Sequence, residues 1–238
     1  MQVLAIGNSF SQDATAYLKK ISDRGNGDIT VVNLYIGGCT LSRHYRNMLS
    51  GERAYSMEFN GQTTGFSVSL DDALLSRDWD IITIQQASRF SVNYESYQPY
   101  LDSLAAYIRE YCPKAKLMIH ETWAYEEGSD KLFNVAKYQT RNDMFKDLHA
   151  AYGKAAKAIK ADGIIPSGTL MQKLIENGVT RLHRDGFHAS LDIGRYSLAL
   201  LWFRVLTGKS VLDNDFKCPV GEITDEEYEI IKKCVEEF

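Results

Sequence analysis

The stretch that decides the fold is residues 3–11, which read VLAIGNSFS. A short apolar run reaches Gly7, and apolar residues at helical spacing follow from Ala14 to Ile21, which predicts a strand, a tight turn and a helix. Ser9 is therefore expected at the carboxyl end of a strand, the edge where open α/β sheets bind ligands. Its hydroxyl is a candidate nucleophile, although a serine before a helix more often serves only as the N-cap.

The same alternation of strand and helix continues along the chain. Apolar, β-branched runs are each followed by a helical pattern, which predicts an α/β fold, a three-layer α/β/α arrangement around a doubly wound parallel sheet. These later strands are expected at Ile29–Ile36, Trp79–Ile84, Lys116–His120 and Gly163–Pro166.

One segment departs from this alternation. Between Tyr55 and Leu70 the residues alternate in polarity on either side of Asn60-Gly61, a strong signal for a two-residue turn. We therefore expect a β-hairpin inserted into the α/β scheme. No repeat, low-complexity segment or linker divides the chain, so residues 1–238 are expected to form a single domain.

Composition narrows the classes of function. The 238 residues are 45% hydrophobic and 24% charged, and the net charge of −4 argues against electrostatic binding of nucleic acid or anionic membranes. The four cysteines have no C-x-x-C spacing, so neither a zinc site nor a disulfide framework is expected. No membrane span and no signal peptide are evident, because Met1 and Gln2 lead directly into the first strand. We expect a cytoplasmic protein, or an exported one whose signal has been removed.

Other polar or glycine-rich segments also follow predicted strands. Gly37-Gly38 follows the second strand, and either serves a turn or leaves a backbone N–H bare for a ligand. Gln85 to Ser88 follow the central strand, and Trp123 and Tyr125 come after the next one, where they either line a pocket or belong to the core. The basic residues of the short helix at 41–49 are most simply a solvated face.

A late loop supplies the remaining candidates. Asp185 and His188 are three residues apart around a glycine, a spacing that lets the carboxylate turn back onto imidazole Nδ1 and leaves Nε2 free to take a proton. His183 competes for this role but has no acidic residue at that spacing.

Taken together, these motifs resemble those of the SGNH hydrolases, relatives of the GDSL lipases and esterases. Gly7–Ser11 matches the first block, with Asn8 where the family often has Asp. Ile36-Gly37-Gly38 is similar to the second block, whose glycine gives an oxyanion N–H, and Asp185–His188 is similar to the D-x-x-H block. The resemblance spans the chain and implies a flavodoxin-like fold.

The third block differs from the family pattern. The family typically has G-x-N-D after the central strand, with the Asn side chain completing the oxyanion hole, whereas this chain has Gln85-Gln86-Ala87-Ser88. Ser88 aligns with that Asn by position, but an amide reaches further and donates more firmly than a hydroxyl. Gln86 is therefore the expected third donor.

The resemblance implies a serine esterase with Ser9, His188 and Asp185 as the catalytic triad and no metal or cofactor. Gly38 and Gln86 would hold the oxyanion, and Trp123 would contact the substrate, a small-molecule or glycan ester with a short, acetyl-type acyl group. Two alternatives remain: a non-catalytic binder on the same fold, and a flavodoxin-like phosphate or nucleotide binder that uses Gly7–Ser11 as an anion loop. The sequence predicts no oligomeric state.

Overall fold

A seven-stranded mixed sheet forms the centre of the computed structural model, which describes residues 1–238. Its strand order is β4-β3-β2-β1-β5-β6-β7, with five parallel strands and an antiparallel pair at one edge. The strands are β1 (Gln2–Gly7), β2 (Thr30–Tyr35), β3 (Tyr55–Phe59), β4 (Gln62–Val68), β5 (Ile81–Ile84), β6 (Lys116–Glu121) and β7 (Gly163–Pro166).

Helices flank the sheet and complete the predicted α/β/α arrangement. They are α1 (Ser9–Thr15), α2 (Leu18–Arg24), α3 (Leu41–Ser50), α4 (Leu70–Leu75), α5 (Tyr100–Tyr111), α6 (Arg141–Ala158), α7 (Ser167–Glu176), α8 (Ile193–Thr207) and α9 (Asp225–Glu236). Helices α1, α2 and α9 pack against α8, whereas α3, α4 and α5 pack against one another. Helix α8 is buried nearly all round, which explains its almost uniformly apolar sequence.

The predicted hairpin is confirmed. Strands β3 and β4 pair antiparallel, with Asn60 and Gly61 at the turn, both at positive φ. β3 also pairs antiparallel with β2, so the hairpin extends the sheet edge.

The helical periodicity of the sequence predicts helices over Glu95–Tyr111 and Asn134–Lys160, the second with an irregular start, and both regular helices begin later than this. The helix expected from Glu95 begins at Tyr100, after a short 3₁₀ turn at Tyr94–Tyr97, because Pro99 lacks an N–H and restricts the residue before it. The helix expected from Asn134 is divided into a π-helical turn at Lys131–Ala136 and α6, with Lys137 at a φ of 64° between them.

The order of the strands sets the position of the site. β1 lies between β2 and β5, and all three run in the same direction, so the segments after Gly7, Tyr35 and Ile84 leave the sheet at one edge. No helix has both the length and the apolar character needed to cross a lipid bilayer.

Candidate active site

Asn8, not Ser9, is the N-cap of α1. Asn8 Oδ1 accepts from the N–H of Phe10 at 3.0 Å, and Ser11 Oγ accepts from the N–H of Asn8 at 3.1 Å. Gly7 is required before this turn because a Cβ there would lie 2.4 Å from Ser11 Oγ. The Ser9 hydroxyl is therefore not used in capping.

Ser9, His188 and Asp185 lie in hydrogen-bond contact, although 179 positions separate Ser9 from His188. His188 Nε2 lies 2.8 Å from Ser9 Oγ, and His188 Nδ1 lies 2.7 Å from Asp185 Oδ2. An ionised carboxylate only accepts hydrogen bonds, so Nδ1 carries the proton and Nε2 accepts from the serine hydroxyl. This is the geometry of a nucleophile, a base and a group that orients the base.

The Asp185 carboxylate is held in place by its own loop. Asp185 Oδ1 accepts from the backbone N–H of His188 at 2.9 Å and from that of Phe187 at 3.3 Å. Partial burial raises the pKa of Asp185, but the hydrogen bonds from His188 and the loop outweigh that effect, so the pKa lies below its ordinary value. The carboxyl therefore stays ionised at neutral pH, as the orienting role requires.

A buried carboxylate ties this loop to α1. Asp13, whose side chain is fully buried, accepts from Arg184 at 2.9 Å, from Arg195 Nε at 2.8 Å and from the N–H of Ala189 at 3.2 Å. Asp13 lies one helical turn after Ser9, and Ala189 directly follows His188. The ion cluster therefore joins the two segments that carry the nucleophile and the base.

The backbone N–H groups of Ser9 and of Gly38 have no partner within the chain. Gly38 has a φ of 60°, and a Cβ built on it would contact nothing within 4 Å. Both residues line the same cavity of about 690 Å³, a size within the usual range for small-molecule sites. The two groups are suited to bind a developing negative charge.

Gln86 does not line this cavity. Its Nε2 donates to the carbonyl and to Oγ of Ser96, at 3.0 and 3.2 Å, and its Oε1 accepts from the N–H of Leu41 at 3.0 Å. The expectation that Gln86 donates into the oxyanion hole therefore does not hold in this geometry. Ser88 does line the cavity, and its Oγ lies 2.9 Å from the hydroxyl of Tyr125.

Trp123 is also absent from the cavity wall. The side chain is fully buried, stacks on Phe10 with ring centroids 4.3 Å apart, and donates through Nε1 to the carbonyl of Phe187 at 2.8 Å. Trp123 therefore does not make the expected contact with substrate, and instead supports the loop that carries His188. The aromatic side chains that line the cavity are Phe10, Tyr35, Tyr125 and Phe187.

None of the other histidines lines the cavity. His183 Nε2 donates to the carbonyl of Ala124 at 3.1 Å, and burial lowers the pKa of His183 to about 4. His44, expected on a solvated face, is fully buried and lies 2.9 Å from the Tyr55 hydroxyl. No group of three or more His, Cys, Asp or Glu side chains is gathered where it could hold a metal ion.

Sequence reasoning missed the basic side chains of the cavity wall. Arg43 and Arg46, assigned to a solvated face, line the cavity together with Arg89 and Lys131. The sequence did indicate their position, because a helix that begins directly after the Gly37-Gly38 turn has its first residues close to that turn. The pairing of Asp13 with Arg184 and Arg195 had no such signal, because more than 170 residues separate the partners.

Comparison with known proteins identifies the family. The model of the family described as "Domain of unknown function (DUF4886)" matches residues 2–235. The chain belongs to the DUF4886 family. A crystal structure of a DUF4886 family protein from Bacteroides uniformis ATCC 8492 shares 35% sequence identity and has a TM-score of 0.92, covering 100% of this chain and 93% of that one.

More distant structures have the fold that the sequence motifs implied. The acetylxylan esterase Axe2 from Geobacillus stearothermophilus is 12% identical with a TM-score of 0.56, covering 93% of this chain and 97% of that one. A lipase/acylhydrolase from Enterococcus faecalis is 14% identical with a TM-score of 0.52, covering 87% and 96%. This DUF4886 member therefore has an SGNH-like α/β fold. No curated protein matches it in sequence.

Proposed function

We propose that this DUF4886 protein is a serine esterase that removes short acyl groups, with Ser9 as nucleophile, His188 as general base and Asp185 as the group that orients His188. The observation that carries the proposal is the unbroken chain of hydrogen bonds from Ser9 Oγ to His188 Nε2 at 2.8 Å and from His188 Nδ1 to Asp185 at 2.7 Å. A phosphate-binding loop at Gly7–Ser11 would leave these two contacts without a role.

The proposed reaction follows from these positions. His188 Nε2 takes the proton of Ser9 as Oγ attacks the ester carbonyl, and Asp185 stabilises the imidazolium that forms. His188 then gives the proton to the departing alcohol. Water, activated in the same way, hydrolyses the acyl-enzyme and returns free Ser9 and a carboxylic acid.

The oxyanion of the tetrahedral intermediate is assigned to the N–H groups of Ser9 and Gly38. Both are free of internal partners and border the cavity, as oxyanion donors must be. The Ser88 hydroxyl, at the cavity wall beside Tyr125, is the third donor in this proposal, in place of Gln86. Tyr35 and Phe187, both only partly buried, offer aromatic surface to a sugar ring if the alcohol is a carbohydrate.

The first test combines covalent labelling with hydrolysis of 4-nitrophenyl acetate. A fluorophosphonate probe should label the protein on the Ser9 peptide, and Ser9→Ala should lose both labelling and at least roughly 10³-fold in kcat/KM. Ser67→Ala is the matched control, because Ser67 is an exposed serine on β4 at the edge of the sheet. Full activity in Ser9→Ala, or labelling at another serine, would contradict the assignment.

A further inference from the structure

The charged side chains that line the candidate cavity are all cationic. Of its nineteen lining residues five are cationic and none is acidic, although the chain as a whole has a net charge of −4. The five are Arg43, Arg46, Arg89, Lys131 and Arg184. Arg184 pairs with Asp13, a carboxylate that it shares with Arg195.

The other four cations have no carboxylate partner. Neither the ion pairs nor the side-chain hydrogen bonds of the protein include the guanidinium groups of Arg43, Arg46 and Arg89 or the ammonium of Lys131. Most other arginines of the chain contact a carboxylate or a carbonyl; Arg181, for example, pairs with Glu227 at 3.1 Å. Cations left unpaired beside a cavity attract an anionic ligand and are not needed to hold the fold together.

These cations lie on two sides of Ser9. Arg43 and Arg46 are three residues apart on α3, and so share a face of the helix that follows the Gly38 turn; Arg89 follows Ser88. Lys131 lies over the ring of Phe187, 5.4 Å from its centroid, and that ring is 3.9 Å from the ring of His188. One group of cations therefore borders the oxyanion side and one the side of the general acid.

We infer that the substrate is an ester that carries a negatively charged group, a carboxylate, sulfate or phosphate, which the unpaired Arg43, Arg46, Arg89 and Lys131 hold while Ser9 attacks. The inference rests on the proposed esterase function and names its substrate class. A planar guanidinium donates two parallel hydrogen bonds to a carboxylate or a sulfate, so the arginine pair of α3 is suited to such a group. A neutral acyl ester would use none of these charges.

Two pairs of near-isosteric substrates test the inference and show on which side of the ester the charge lies. For the acyl side they are the mono-4-nitrophenyl ester of adipic acid and the same ester with a terminal carboxamide. For the alcohol side they are 4-acetoxybenzoate and 4-acetoxybenzamide. The charged member of at least one pair should have the higher kcat/KM by roughly fivefold or more, and this advantage should shrink as sodium chloride rises to about 0.5 M.

The variant test uses Arg43→Gln together with Arg46→Gln. In the double variant the advantage in kcat/KM of the charged substrate over its neutral partner should fall to less than about twofold, mostly through a higher KM for the charged substrate. Arg24→Gln is the matched control, since it removes one charge from an exposed arginine on α2, whose side chain is 62% exposed, and it should keep the full advantage. Both α3 arginines are exposed, so thermal unfolding should show a folded double variant.

The outcomes separate this inference from the proposed function. Preference for the charged member of either pair, lost in the double variant, supports the inference. Equal or better hydrolysis of both neutral members, with no salt dependence, overturns it and leaves the esterase assignment standing. If no ester is hydrolysed and Ser9 is not labelled, the proposed function fails, and this inference fails with it.

Discussion

Gly38 is the residue whose backbone the proposed reaction depends on most. Gly38 lines the cavity with a φ of 60°, a left-handed conformation that glycine adopts at no steric cost. Gly38→Ala should therefore lower kcat on 4-nitrophenyl acetate by roughly 10²–10³-fold, with a small change in KM, because the N–H would shift away from the oxyanion. Steady-state kinetics on the purified variant measure this.

The neighbouring glycine is the control for that substitution. Gly37 does not have a positive φ, and a Cβ there would meet the Tyr35 hydroxyl at 3.4 Å, an ordinary contact. Gly37→Ala should keep kcat within about threefold. Equal losses in the two variants would mean that general disturbance of the turn, and not the Gly38 N–H, explains the effect.

Contacts between side chains that are close together in the sequence could be predicted from their spacing. Asp185 and His188 are three apart in one loop, and their contact follows from that spacing. The choice of Gln86 as the third donor rested on reach and donor strength, which say nothing about the direction in which a side chain points. Gln86 turns toward Ser96 and α3, whereas Ser88, two residues later, faces the cavity.

At the scale of elements, Asp13 couples α1 to the loop that carries His188. Asp13→Asn would leave two half-buried guanidinium groups with one neutral partner, so the free energy of unfolding should fall by about 3 kcal/mol. The folded fraction should also lose roughly tenfold or more in kcat, because His188 would no longer be held in line with Ser9. Urea unfolding and kinetics at low temperature measure both effects.

A surface aspartate tests whether burial causes this effect. Asp23 pairs with Lys19 one turn away on α2, but its side chain is 53% exposed. Asp23→Asn should change the free energy of unfolding by less than about 0.5 kcal/mol and leave kcat unchanged. Matching results for the Asp13 and Asp23 variants would contradict the coupling role.

The type and order of the helices and strands could be predicted well because they follow from the periodicity of apolar residues in the sequence. The hairpin around Asn60-Gly61 and the parallel strands were visible in this way. The start of α5 could not be predicted in this way, and for α6 only an irregular start was expected, since both depend on local backbone geometry at Pro99 and Lys137 that periodicity does not report. The ion cluster of Asp13 with Arg184 and Arg195 could not be predicted for a different reason: these residues come into contact only in the complete fold.

At the scale of the whole molecule, two buried histidines and one half-buried histidine are held in the neutral form. Burial lowers the pKa of His44 and of His120 to about 3 and that of His183 to about 4. His120 lies between Gln85 Oε1 at 2.6 Å and Ser167 Oγ at 3.0 Å, and Gln85 in turn donates to Asn8, the N-cap that precedes Ser9. Protonation of these rings therefore opposes the folded state.

Stability should therefore fall as the pH falls below about 6.5, the pKa of histidine in the unfolded chain. Between pH 6.5 and about pH 4 these histidines are protonated in the unfolded chain but not in the folded chain. Each of them therefore lowers the free energy of unfolding by up to about 2 kcal/mol at pH 5, and has no such effect above about pH 7.5. His149 acts in the opposite direction, because its hydrogen bond to Glu121 raises its pKa.

Urea unfolding at pH 7.5 and at pH 5 measures this effect. The free energy of unfolding should be lower at pH 5 by several kcal/mol, and His120→Gln should lose about 2 kcal/mol less than the wild type over this interval. If the free energy of unfolding is the same at both pH values, these histidines are not held neutral by burial.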